Sequence, residues 1–154
     1  ELEPPNTCLG AAGSLGWLFP AALGAKCAAP HRKVVCWPGD GALYYHLAEL
    51  ETARRRGIAG TLVVNNNAGF GQGGPNLVRQ AGNRPDAAAE LLRFGPTDFT
   101  AVARSFGLDG IRVERPEEIG PALRRAMEAD HTMVVDVATD IEARAPAPWA
   151  PEGV

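Results

Sequence analysis

Two short segments at a set separation limit what this chain can become. The apolar run Val34-Val35-Cys36-Trp37 enters Gly39-Asp40-Gly41, and the apolar run Thr61-Leu62-Val63-Val64 enters Asn65-Asn66-Asn67. Between them lies a segment with helical periodicity. Leu43, Leu47 and Leu50 fall on one face, Arg54-Arg55-Arg56 sit at the C-terminal end where the dipole favours cations, and Gly57 suits a C-cap. Strand, helix, strand is a β-α-β unit, and strands one crossover apart lie side by side in a parallel sheet. The two strand ends then meet at one edge, bringing a carboxylate, an amide and several glycines together. That donor set suits a hard divalent cation and a diphosphate. Asp40 is the carboxylate. Gly39 and Gly41 let a ligand approach the backbone with no Cβ in the way, and Gly41 and Ala42 can offer N–H groups at a helix start. Taken alone, Gly-Asp-Gly is more often an ordinary turn or cap, and an Asn run more often a strand end.

The remaining pattern continues the alternation. Residues 14–28 carry apolar side chains at helical spacing, with Pro20 tolerable only in a first turn. Residues 33–37 read as a buried strand, 42–56 as one amphipathic helix and 60–66 as a second strand. Residues 68–84 are rich in Gly and Asn without periodicity and read as a long loop of a functional or disordered kind. Short helices are expected at 86–93 and 98–106, and a strand at 110–113. A helix over 116–129 has Pro116 early and Glu117-Glu118 in its first turn, and a final strand spans 132–138. Alternating strands and helices predict a layered α/β fold with a parallel sheet.

Composition excludes several classes. A chain of 154 residues is one domain's worth, and a 45% hydrophobic content is enough for a real core. Its net charge of −3 leaves no basic footprint, so no nucleic-acid partner is expected. No apolar run reaches membrane-spanning length and no leader pattern is visible, so no membrane partner is expected. Cys8, Cys27 and Cys36 are odd in number and lack metal-ligand spacing, which fits reduced thiols and a cytoplasmic location. His31, His46 and His131 have no paired carboxylate or Cys at ligand spacing and read as ordinary histidines.

With these motifs in view, the chain resembles the diphosphate-binding domain of thiamine-diphosphate enzymes of the acetolactate synthase and 2-oxoacid decarboxylase family. That family has Gly-Asp-Gly, about two dozen residues, then Asn-Asn. Here the stretch reads GDGALYYHLAELETARRRGIAGTLVVNNNAGFG, including the Glu49-Leu50 and Thr52-Ala53 set. The upstream GSLGWLFPAALGAKCAAP and the segment from Asp98 to Asp140 are similar too, so the likeness covers residues 10–140. It implies a three-layer α/β/α thiamine-diphosphate-binding fold over residues 1–143, with an N-terminal strand and helix missing and a Pro-rich tail at 144–154.

The resemblance also implies the chemistry. The cofactors are thiamine diphosphate and Mg²⁺, held by Asp40, the side-chain oxygen of Asn67 and the backbone carbonyl of Gly69. Asn67 is preferred because the family's ligand lies 27 residues after its Asp, and Asn66 is the neighbouring alternative. Cofactor contact extends over Gly13, Ser14, Leu15, Gly39, Gly41, Ala42, Phe70 and Gly71. Leu15 stands where the family places a bulky apolar residue under the cofactor; a helix-entry core leucine is the plainer reading. The acid that activates the aminopyrimidine belongs to a pyrimidine-binding domain of the same or a partner chain, in a homodimer or homotetramer. No catalytic residue is therefore assigned within this chain, which alone is expected to be inactive. An apolar patch is expected around Leu15, Trp17 and Phe19. The implied function is a lyase or carboligase acting on 2-oxoacids. Aldehyde or 2-hydroxyacyl-CoA lyase is the sister alternative, and a noncatalytic cofactor-binding subunit is the alternative from another class.

Overall fold

The computed structural model describes residues 7–10, 13–71, 78–80 and 82–143. Four strands, β1 (Val35–Cys36), β2 (Thr61–Asn66), β3 (Asp109–Val113) and β4 (Met133–Ala138), form one sheet in the order β1-β2-β4-β3. All three pairings are parallel, with Cys36 opposite Leu62, Val64 opposite Asp136 and Arg112 opposite Asp136. Helices with both ends in the described residues are α1 (Leu18–Ala28), α2 (Asp40–Tyr44), α3 (Glu49–Arg56), α4 (Pro85–Leu92), α5 (Phe99–Ser105) and α6 (Pro116–Glu128).

The alternation of β2 and β4 separates two cores. Leu62, Val64 and Val134 face one way, onto Phe19 and Leu23 of α1, Leu43 of α2, Leu50 and Ala53 of α3, and Phe99 and Ala103 of α5. Val63, Met133 and Val135 face the other way, onto Ala122 and Ala126 of α6. A sheet buried on both faces and covered by helices on each is the three-layer α/β/α arrangement expected for parallel strands. Among the described residues no helix is long and apolar enough to cross a membrane.

Local chemistry explains where the elements start and stop. Asp98 caps α5 by accepting from the backbone N–H of Thr100 and Ala101. Pro116 opens α6, where Glu118 reaches back to the Arg115 N–H. Gly57 ends α3 in the left-handed region at φ 60°. Pro20 falls in the first turn of α1, where its missing donor costs nothing.

Four expectations need correction. The helix over 42–56 is two helices, because residues 45–48 make three-residue hydrogen bonds such as His46 N–H to Leu43 O and Glu49 N–H to His46 O. The backbone of Gly16 presses on this break: a Cβ there would lie 2.6 Å from Tyr45 Cβ. The strand at 33–37 shortens to Val35–Cys36, since among the described residues β1 has β2 beside it on one side and no strand on the other. Phe19 is buried in the core beside Leu23, so the exposed apolar side chains there are Leu15, Trp17 and Trp37. The long loop is not free of regular structure, since residues 78–80 are helical and Gly69 bridges to Arg93. Its residues 72–77 and 81, and the Pro-rich tail at 144–154, lie outside the described residues.

Candidate functional site

β1 and β2 end side by side. Gly39 bridges to Asn65 in parallel, and the Asn65 N–H donates to Pro38 O at 2.9 Å. Asp40 therefore opens α2 at the same edge where the Asn run leaves β2. Its carboxylate is almost wholly buried, 2% exposed. One oxygen, Oδ1, accepts from the Gly41 N–H at 2.8 Å, and the other, Oδ2, accepts from the Gly69 N–H at 3.1 Å. Burial pushes the carboxyl above the ordinary range, and the N–H groups of Gly41, Gly69 and Ala68 pull it back.

The three asparagines have three fates. Asn65 Oδ1 accepts from Thr139 Oγ1 at 2.6 Å. Asn66 turns inward and its Nδ2 donates to Asp136 Oδ1 and to the Thr97 carbonyl, each at 2.9 Å. Asn67 Oδ1 is buried and has no hydrogen-bond partner among the described residues. A buried amide oxygen left unpaired costs about 1–3 kcal/mol unless something else meets it. Alternation along an extended chain separates Asn66 from its neighbours, so the sequence ambiguity between Asn66 and Asn67 is one of facing.

After Asn67 the chain turns sharply. Ala68 adopts φ 54°, a left-handed conformation that costs a non-glycine residue roughly 1–2 kcal/mol. This turn brings the Gly69 N–H to Asp40. The adjoining bridge runs from Phe70 N–H to Leu92 O and from Phe94 N–H to Ala68 O, so neither bond uses the Gly69 carbonyl. Phe70 stacks edge-on against Phe94, with centroids 4.7 Å apart, and Tyr44 meets Phe94 in the same way at 5.4 Å. Phe70 also packs on the bare backbone of Gly41, and Gly71 lies where a Cβ would come 3.0 Å from Asn67 Nδ2.

Gly41 gives its N–H to Asp40 itself, which leaves Ala42 as the other early N–H of this short helix. Gly13, Ser14 and Leu15 lie in the exposed turn before α1, and the Trp17 N–H closes that turn on Ser14 O at 3.1 Å. Gly16 places this turn against Tyr45 and His46, at the far end of the α2 segment from Asp40. Leu15 is 53% exposed and so is not a core leucine.

Sequence reasoning missed Asp136. Fully buried in β4, it collects Asn66 Nδ2, the Phe99 N–H at 3.0 Å and Arg112 Nη1 at 2.8 Å. The signal was present: a lone carboxylate inside the apolar run Met133-Val134-Val135-Asp136-Val137 must find partners if that run is a buried strand. Among the described residues no three His, Cys, Asp or Glu side chains group as a metal site, so any cation at this edge would rest on mixed oxygen donors. The cysteines are free thiols, and burial pushes Cys36 up to about 12, far from a reactive thiolate.

Fold and site together define an α/β ligand-binding domain whose site lies at the carboxyl ends of neighbouring parallel strands. The chain belongs to the thiamine pyrophosphate enzymes, matching their C-terminal TPP binding domain over residues 1–137. It is 40% identical over 117 residues to a sulfoacetaldehyde acetyltransferase of Castellaniella defragrans, covering 76% of this chain and 19% of that protein. A probable acetolactate synthase large subunit of Methanococcus aeolicus is 34% identical, covering 91% of this chain and 23% of that protein. Benzoylformate decarboxylase of Pseudomonas aeruginosa is 33% identical, covering 89% of this chain and 25% of that protein. Among solved structures, the thiamine diphosphate-dependent 4-hydroxybenzoylformate decarboxylase of Rhodococcus jostii superimposes with a TM-score of 0.71 at 30% identity, covering 82% of this chain and 23% of that one. The chain thus spans no more than a quarter of these proteins' length.

Proposed function

We propose that this domain grips the diphosphate end of thiamine diphosphate through Mg²⁺, as part of a lyase or carboligase acting on 2-oxoacids. The observation that carries this reading is that one sheet edge holds both the buried Asp40 carboxylate and a buried Asn67 amide oxygen with no partner among the described residues. A buried carboxylate and an unpaired amide oxygen are donors that a hard divalent cation satisfies. Asp40, Asn67 Oδ1 and the Gly69 carbonyl would hold Mg²⁺, and family membership supplies the diphosphate that completes its oxygen shell. The Ala42 N–H would meet a phosphate oxygen at the helix start.

When bound, the cofactor supplies a nucleophilic carbon and an electron sink for the substrate carbonyl. This chain's residues hold and orient it. Leu15 offers an exposed apolar side chain to support the cofactor rings, while Gly41 and Gly71 make room for Phe70 and Asn67 beside the site. Proton transfer to the aminopyrimidine is assigned to a pyrimidine-binding domain, on the same chain or on a partner in a homodimer or homotetramer. Cysteine usage supports a cytoplasmic enzyme.

The names of the matched acetolactate synthase and benzoylformate decarboxylase support 2-oxoacid chemistry. A second reading, acetyltransferase chemistry on an aldehyde substrate, is favoured by the 40% identity to the sulfoacetaldehyde acetyltransferase.

Calorimetric titration of thiamine diphosphate with Mg²⁺ into the full-length enzyme tests the site. Asp40→Ala and Asn67→Ala should each weaken binding strongly. Asp109→Ala should not, because Asp109 begins β3 at the opposite end of the sheet, paired with His131. Equal affinities for all three variants would remove Asp40 and Asn67 from the site. Turnover of pyruvate by the isolated 154-residue chain above the free cofactor's rate would overturn the dependence on a second domain.

A further inference from the structure

We propose that Asn66 is a positioning residue for the cation site, acting as the centre of a clamp made with Asp136, Thr97 and Tyr44. The inference rests on the Asp40–Asn67 reading above and names residues that reading leaves idle.

Asn66 is buried, and its Nδ2 spends both hydrogens, one on the Asp136 carboxylate and one on the Thr97 carbonyl. Its own carbonyl accepts from the Thr139 N–H at 2.9 Å. The residue before it is held by Thr139 and the residue after it is Asn67. The end of β2 is therefore anchored to β4 by backbone and side chain immediately before the proposed ligand leaves the sheet.

Thr97 links this anchor to the other arm of the site. Its hydroxyl bonds the Tyr44 hydroxyl at 2.5 Å, and Tyr44 closes the helix that Asp40 opens. The Tyr44 ring is wedged between Phe94 and Phe99. One residue thus touches both segments that carry the proposed cation ligands, β2 through Asn66 and α2 through Tyr44.

Asp136 shows what this arrangement is for. A fully buried carboxylate in a central strand is expensive, and an apolar residue of similar size would serve the core at least as well. Here it gathers Asn66, Arg112 and the first N–H of α5, three donors from three elements. Mg²⁺ tolerates little error in donor position, and outer partners that aim its ligands commonly change affinity by about 10–100-fold when removed.

The test uses the full-length enzyme with thiamine diphosphate at saturation and Mn²⁺ as the probe, its free concentration read by electron spin resonance, with thermal unfolding in parallel. Asn66→Ala should raise the Mn²⁺ dissociation constant about 10-fold. Tyr44→Phe, which keeps the ring and removes one hydrogen bond, should raise it about 5-fold with little change in Tm. Val134→Ala, a cavity on the same face of β4, should lower Tm yet leave the dissociation constant within about twofold. If Asn66→Ala fails to fold, Tyr44→Phe decides. Unchanged Mn²⁺ affinity in the clamp variants, with affinity lost in Asp40→Ala, would sink the clamp and leave the site standing. Unchanged affinity in Asp40→Ala as well would sink both. An equal loss in Val134→Ala would reduce the effect to general loosening and also overturn the proposal.

Discussion

Gly69 donates its backbone N–H to Asp40 Oδ2 at 3.1 Å, joining the loop after β2 to the first residue of α2 across 29 positions of sequence. This bond depends on Ala68 turning left-handed, so one strained residue sets where the carboxylate meets the loop. The same carboxylate is buried, which makes its protonation a property of the fold.

Asp40 should make the cation-free protein less stable as pH rises. Its folded carboxyl is held above the ordinary Asp range by burial, so folding favours the protonated form. Such a group contributes stability below its unfolded pKa and loses it as pH climbs through the folded value. Thermal unfolding without divalent ions, from about pH 4 to about pH 7, should show Asp40→Asn gaining on the wild type as pH rises. A difference between the two that does not vary with pH would contradict this.

Gly41→Ala should be disruptive out of proportion to its size. The new Cβ would lie 2.4 Å from Phe70 Cε1, so the ring must move away from Phe94. Overpacking of this kind costs typically about 1–3 kcal/mol. Urea unfolding should show the loss, and Phe70→Leu in the same protein should recover part of it. Independent, additive effects of the two changes would mean that the ring and the glycine do not meet.

His131 should stabilise the protein at lower pH. It is bonded to Asp130 through Nδ1 at 3.0 Å and to Asp109 through Nε2 at 2.9 Å, and these carboxylates raise its pKa. A raised histidine contributes fully below its unfolded value of about 6.5 and loses that contribution as pH passes through the folded value. The side chain is over a third exposed, so solvent keeps the effect modest. His131→Gln should lower Tm more at about pH 5.5 than at about pH 8.5, and the opposite order would refute the pairing.

Leu15→Ala separates support of a cofactor from support of the fold. With the side chain half exposed, its loss should change stability by no more than about 0.5 kcal/mol. In the full-length enzyme the same change should weaken thiamine diphosphate binding or lower kcat. A large drop in Tm with normal kinetics would return Leu15 to a packing role.

Local pattern alone determined a good deal here. Strand periodicity, Gly-Asp-Gly and the Asn run sufficed to place β1, β2 and the edge where Asp40 meets the Asn run, because a right-handed crossover leaves adjacent parallel strands little choice. Cap chemistry placed Pro116 and Gly57 at helix ends, since those signals act within one turn. Only the tertiary structure decided that β4 inserts between β2 and β3, which carries Asp136 to Asn66. It gave Asn65 and Asn66 partners 74 and 70 residues away and left Asn67 Oδ1 without one among the described residues. It also buried Phe19 and broke the helix at residues 45–48. Periodicity reports which face of an element is apolar. Which polar atom on that face is met, and which is left waiting, depends on contacts between distant parts of the chain that no local pattern carries.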